Sequence, residues 1–196
     1  MEPVDDAKSA DPRHLVGTSN SLAEGGRIHA KIEGRYVSVL RLNGNLHAID
    51  SICFHAGGPL GIGEIEDLNG KNCIICPWHH YKIDIETGEK YYQAGVWENG
   101  KMKPGAWQSN GVKQRVHSTI EENGNIYVTF SKGTLVDSDG YAYNVPCGER
   151  MKSAGDTNQA RSQQAVGGDG RMPSGYVLRN NAAAAAQGYN VSGLYK

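Results

Sequence analysis

Nothing in this sequence approaches the run of about 18 to 20 apolar residues that a membrane span needs. A surplus of one charge sign is missing too. Over 196 residues, 20 Lys and Arg face 21 Asp and Glu, a formal net charge of −1. Neither nucleic acid nor an anionic membrane is therefore an expected partner. The N-terminus, Met-Glu-Pro-Val-Asp-Asp-Ala-Lys, is acidic and lacks the apolar core of a secretory signal. These absences predict a soluble, intracellular protein, with the cytoplasm as its compartment. Cysteine is scarce: Cys53, Cys73, Cys76 and Cys147 are the full set. Outside a secretory context they read as reduced thiols or metal ligands rather than as a disulfide framework.

What is present is a series of short alternating segments broken by turn residues. Arg27–Glu33 (RIHAKIE) and Arg35–Leu42 (RYVSVLRL) alternate apolar and polar residues around Gly34, and Asn43-Gly44 leads into Asn45–Asp50 (NLHAID). That is the period-two pattern of half-buried strands joined by hairpins. Asn69-Gly70 divides Gly61–Asp67 from Asn72–Cys76, Thr87-Gly88 follows Lys82–Glu86, and Asn123-Gly124 divides Val112–Ile120 from Ile126–Ser131. The spacing predicts an all-β, antiparallel sandwich or barrel. Gln93–Asn110, with Gly95, Gly100, Pro104 and Gly105 and no steady period, reads as an irregular loop.

Residues 1–11 read as a flexible N-terminus and 12–133 as the folded domain, with 13 basic minus 12 acidic residues, or +1. From Thr134 the character changes. Leu, Ile, Val and Phe supply only 8 of the last 63 residues, too little apolar surface to offset ordering entropy. The expectation for 134–196 is a largely disordered tail.

The chemistry sits in Cys53-Phe-His55 and, after 20 intervening residues, Cys76-Pro-Trp-His79. Each half offers one thiolate and one imidazole from a short segment between strands. A Rieske-type [2Fe–2S] cluster needs that pairing, because two Cys hold one iron while two His replace thiolates on the other. With two ferric ions, two sulfides, two thiolates and neutral histidines the charges cancel, so an electron is accepted more readily than by a four-thiolate centre. Zinc also takes Cys2His2 ligation, although zinc modules more often pair Cys with Cys and His with His. A Cys53–Cys76 disulfide is a third reading. Gly57 and Gly58 would let backbone approach the sulfides, Pro77 would stiffen the second loop, and Phe54 and Trp78 would limit water access.

At these residues the sequence resembles the soluble Rieske-type ferredoxins of animals, which stand alone without an oxygenase domain. The resemblance is carried by Cys53–Leu60, Gly63–Asp67, Cys73–His79, Gly111–Arg115 and Asn123–Val128. It implies a Rieske β-sandwich whose small subdomain carries both cluster loops, with Cys53, His55, Cys76 and His79 as ligands. It also implies a soluble, monomeric one-electron carrier between a flavoprotein reductase and an oxygenase or other acceptor.

The sequence departs from the Rieske pattern in two ways. The stretch between the two motifs is long, and the hairpin around Asp67–Asn72 is where the excess is expected. The two positions that carry a loop-linking disulfide in respiratory Rieske proteins are here Gly58 and Trp78, and the position of their cluster-donating serine is Tyr81. Those exchanges predict a potential toward the lower end of the Rieske range of about −150 to +300 mV. Cys-x-x-His spacing selects His79 over His80. Cys73 is expected to face the core, Cys147 to be an incidental thiol, and His14, His29, His47 and His117 to be structural. A complete oxygenase would need a second iron site and a large catalytic domain. A redox or iron sensor, or an interaction module, is the alternative reading.

Overall fold

A computed structural model of the chain describes residues 12–153. Among those residues five tight turns place two consecutive residues at positive φ: Glu33-Gly34, Asn43-Gly44, Asn69-Gly70, Asn99-Gly100 and Asn123-Gly124. Such turns match the right-handed twist of the strands they join, and they fix register along most of the chain.

In chain order the strands are β1 (Arg13–Thr18), β2 (Arg27–Ile32), β3 (Arg35–Leu42), β4 (Asn45–Asp50), β5 (Glu64–Asp67), β6 (Asn72–Ile75), β7 (Lys82–Asp84), β8 (Glu89–Glu98), β9 (Lys101–Val112), β10 (Val116–Glu122) and β11 (Asn125–Thr129). They form two antiparallel sheets. The larger runs β1-β11-β10-β4-β3-β2 and the smaller β5-β6-β7-β8-β9. The large sheet curls until its outer strands touch: Gly17 on β1 leaves room for Ile28 of β2, whose Cδ1 lies 2.7 Å from where a Cβ would stand. The apolar faces of Val37, Val39, Ala48, Ile126 and Val128 fill the curl. The small sheet is inserted between β4 and β10. A second core (Leu40, Ile49, Leu60, Ile74, Ile83 and Ile85) joins it to the large sheet and includes Cys53 and Cys76.

Two expectations are corrected. Gln93–Asn110 is not a loop but most of a long β8–β9 ribbon, with bulges between Glu89 and Tyr91 and between Gln93 and Gly95. The bulges break the alternation, and the ribbon beyond β7 has no apolar face to bury, so no period survives in the sequence. Secondly, residues 134–153 are ordered. They form a short 3-10 segment (Asp137–Gly140) and a helix, α1, over 145–153. The expected disorder of 1–11 and of the rest of the tail lies outside the described residues.

Residues 134–153 are held by a few fully buried side chains, which an average over 63 residues hides. Met151 and Tyr36 share a small core with Ile52, and Gly148 allows α1 to lie on the Tyr36 ring, 2.3 Å from where a Cβ would stand. Beside it is a buried charge network. Arg35 Nε and Nη2 each donate to Asp50 at 2.6 Å, and Ser138 Oγ donates to Asp50 Oδ2 at 2.6 Å. Asp139 accepts from Arg35 Nη2 at 2.6 Å and from Arg115 Nε at 2.7 Å. His117 Nε2 lies 3.1 Å from Asp50 Oδ1, while its Nδ1 accepts from Ser131 N–H at 3.4 Å, so Nε2 carries the proton. Buried charge is tolerated only when paired and hydrogen-bonded in this way.

Candidate metal centre

Two loops of the same design meet between the sheets. In the first, Cys53 N–H donates to Gly58 C=O at 2.8 Å and Gly57 N–H to Cys53 C=O at 3.0 Å. In the second, Cys76 N–H donates to Tyr81 C=O at 2.9 Å and His80 N–H to Cys76 C=O at 2.8 Å. Each loop therefore closes from its Cys to the fifth residue on, and its fourth residue sits at positive φ: Gly57 at 71° and His80 at 55°. Glycine takes that conformation without strain, whereas histidine does so at some cost. His80 is exposed and carries a backbone duty that the sequence did not reveal.

The shared design places like groups together. Cys53 and Cys76 are each 1% exposed, and their thiols are within hydrogen-bonding reach. His55 and His79 are exposed, with Nδ1 atoms 3.3 Å apart and rings 4.7 Å apart at 89°. Backbone N–H groups point at the sulfurs: those of His55 and Ala56 at Cys53, those of Trp78 and His79 at Cys76. Electrostatics divides the thiol pair. The hydrogen bond from Cys53 draws Cys76 down, while the same bond and burial push Cys53 up. His55 is held below the ordinary imidazole value by desolvation first, then by His79 and Lys90.

This geometry can be tested against the candidate groups. Two imidazole nitrogens bound tetrahedrally at about 2.0–2.1 Å from one metal would stand roughly 3.3 Å apart, the separation observed. A single zinc ion needs all four ligands on one point. Among the described residues no three His, Cys, Asp or Glu side chains converge that way. One sulfur pair and one nitrogen pair, each close within itself, suit a group with two metal atoms.

Further side chains surround the pair. Tyr81 packs its ring 4.5 Å from His55 and stacks on Phe54 at 5.7 Å. Phe54 is half-buried against the second core, while Trp78 stands exposed against Gly58. A Cβ on Gly58 would lie 2.9 to 3.1 Å from the Trp78 ring, so the positions that a disulfide links in respiratory proteins are neighbours here without one. The Asp67–Asn72 hairpin lies between the two loops in sequence and closes through Leu68 N–H on Lys71 C=O. Cys73 faces the core, and burial pushes its thiol up to about 12. Cys147 is half-buried beside Tyr36, Ile52 and Met151, and burial raises it to about 11. His14 faces Glu33 at 3.8 Å and His29 meets Ser38 at 2.8 Å. His47 lies on β4 and is half-buried.

A sequence model of the soluble Rieske-type ferredoxins matches residues 14–133. The chain belongs to this family. This ferredoxin is 44% identical over 128 residues to the human Rieske domain-containing protein, covering 65% of this chain and 81% of that one. It is 29% identical over 85 residues to the ferredoxin component of the naphthalene 1,2-dioxygenase system of Pseudomonas putida, covering 43% of this chain and 77% of that one. Among solved structures, the ferredoxin of carbazole 1,9a-dioxygenase from Nocardioides aromaticivorans IC177 overlays with a TM-score of 0.46 at 22% identity, covering 61% of this chain and 98% of that one. The protein is thus a Rieske-type electron carrier homologous to dioxygenase ferredoxin components. Among its described residues no helix is long and apolar enough to cross a membrane.

Sequence reasoning gave no role to Gln114, which lies in the Gly111–Arg115 stretch that carries the family resemblance. It is fully buried, donates through Nε2 to the carbonyls of Asp50 (3.0 Å) and Ile52 (2.6 Å), and accepts from Phe54 N–H at 3.0 Å. It ties the first ligand loop to the end of β4. Gln114→Leu keeps the volume and strands three backbone groups, each worth about 1–3 kcal/mol when left unsatisfied. The expected result is a lower thermal midpoint in a melting curve. An unchanged midpoint would show that the clamp does not hold the first loop to β4.

Proposed function

We propose that this ferredoxin binds one [2Fe–2S] cluster through Cys53, His55, Cys76 and His79, and carries single electrons from a flavoprotein reductase to an oxygenase or another acceptor protein. The separation of a buried thiol pair from an exposed imidazole pair is the observation that carries this reading. When bound, the cluster supplies a one-electron redox couple. The chain's own residues do the rest. The N–H groups of His55, Ala56, Trp78 and His79 stabilise negative charge at the cysteine sulfurs. Leu60, Ile74 and Ile83 keep water from the thiol side, and His55 and His79 present the edge through which an electron leaves. Cys73 and Cys147 are free thiols, which suits a carrier working in a reducing compartment such as the cytoplasm.

Aerobic purification, followed by absorption and EPR spectroscopy with iron and acid-labile sulfide analysis, tests the assignment. The expected preparation is coloured, with equal amounts of iron and sulfide. With Gly58 and Trp78 in place of a disulfide and Tyr81 in place of a donating serine, redox titration is expected to give a midpoint toward the lower end of about −150 to +300 mV. A colourless preparation containing zinc would refute the assignment, and a midpoint near the upper end would refute the account of the tuning.

A further inference from the structure

The two ligand loops carry no formal charge of their own: residues 52–63 and 72–81 include no Asp, Glu, Lys or Arg. A cation nevertheless stands one aromatic ring away from His55. Lys90 of β8 pairs with Ile83 of β7, but opposite β9 it falls in the bulge between Glu89 and Tyr91. Bulges add local twist and re-aim the side chain they carry. The Lys90 ammonium lies over the face of Tyr81, 4.6 Å from the ring centroid, and 5.4 Å from the centroid of Tyr92. The Tyr81 ring in turn meets His55 edge-on at 4.5 Å and 72°, and lies nearly parallel to Phe54. Lys82, on the adjacent strand, is paired with Glu66 at 2.7 Å. Among the described residues Lys90 has no such carboxylate partner, and its contacts are the two tyrosine faces, which hold it by cation–π attraction.

We propose that Lys90 is a tuning residue of the redox centre, a fixed positive charge held over Tyr81 that favours the reduced form. The inference rests on the electron-carrier reading. With two thiolates, two neutral imidazoles, two sulfides and a ferric pair the oxidised site is neutral, and one added electron takes it to −1. A nearby cation stabilises the second state and leaves the first unchanged. What lies between the ammonium and His55 is a ring rather than water, so the attraction is screened less than it would be through solvent. Lysine acts here through its charge and its reach, and gives up no proton. The step adds one electron from the donor, and no bond in the protein forms or breaks.

Redox titration of the full-length protein and its Lys90 variants, followed by EPR, is the test. Lys90→Gln should disfavour reduction about fivefold, which lowers the midpoint by about 40 mV at 59 mV per tenfold for one electron. Lys90→Glu changes the charge by two and should lower the midpoint about twice as far. Lys90→Arg keeps the charge and the ring contact and should match wild type. The EPR line shape should stay that of wild type in all three, so that ligand geometry is not what changed. Nuclear Overhauser contacts between the Lys90 methylenes and the Tyr81 ring check the placement independently of any metal. Gln and Glu variants that keep the wild-type midpoint, shift it equally or raise it overturn the proposal, as does a Lys90 side chain without contact to Tyr81. A wild-type preparation with no iron–sulfur signal overturns the carrier reading, and the proposal with it, before a midpoint is read.

Discussion

Replacing His55 by serine is expected to erase the visible absorption and the EPR signal and to bring bound iron down toward zero, with the far-UV spectrum retained. The side chain is exposed and outside every core cluster, so the fold does not depend on it. The metal would: one of two imidazoles 3.3 Å apart is removed, and a neutral hydroxyl is a weak substitute for a ligand that sets the potential. His80→Ser is the control. It removes a second exposed imidazole one residue from His79 and should leave both spectra intact. An unchanged spectrum in His55→Ser would remove the Rieske assignment.

The largest effect on stability is expected at Asp50, far from any metal. Its side chain is wholly buried and receives hydrogen bonds from Arg35, Ser138 and His117. Asp50→Ala leaves those donors facing a cavity, a lesion that costs about 3–5 kcal/mol. At roughly 2–4 °C per kcal/mol for a chain of this size, the thermal midpoint should fall on the order of 10–15 °C. Burial by itself would raise the Asp50 carboxyl, but the bonds from His117, Arg35 and Ser138 hold it below the usual carboxylate range. Asp139 is also held well below that range, chiefly by Arg115. A carboxylate depressed in the folded state contributes stability above its unfolded value near 4, and that contribution is lost as pH falls through the folded value. The wild type should therefore keep its thermal midpoint from neutrality to about pH 5 and lose it below about pH 4. Asp50→Ala should show a shallower loss. A variant that melts like wild type at pH 7 would mean that the network does not hold residues 134–153 in place.

Much of this was legible because the chain marks its turns. Asn43-Gly44, Asn69-Gly70 and Asn123-Gly124 announce hairpins, and the strands between them alternate. Asn99-Gly100 carries the same signal. It went unused because β8 and β9 expose both faces and leave no period on either side. Residues 134–153 escaped for a different reason: Ser138, Ala142 and Met151 anchor them individually, and isolated anchors vanish in an average. At the site, residue type and spacing singled out four candidates, and the structure brings them together as two pairs. It could not single out Gln114, whose role depends on three carbonyl and amide groups far away in the chain, or the backbone conformation of His80.

The two thiols belong to the same cluster of buried side chains that fastens the small sheet to the large one. Whatever occupies them is bound by the folded form alone, so its binding free energy is added to that of folding. The cluster proposed for this site would therefore tighten the seam between the two sheets as well as carry the electron.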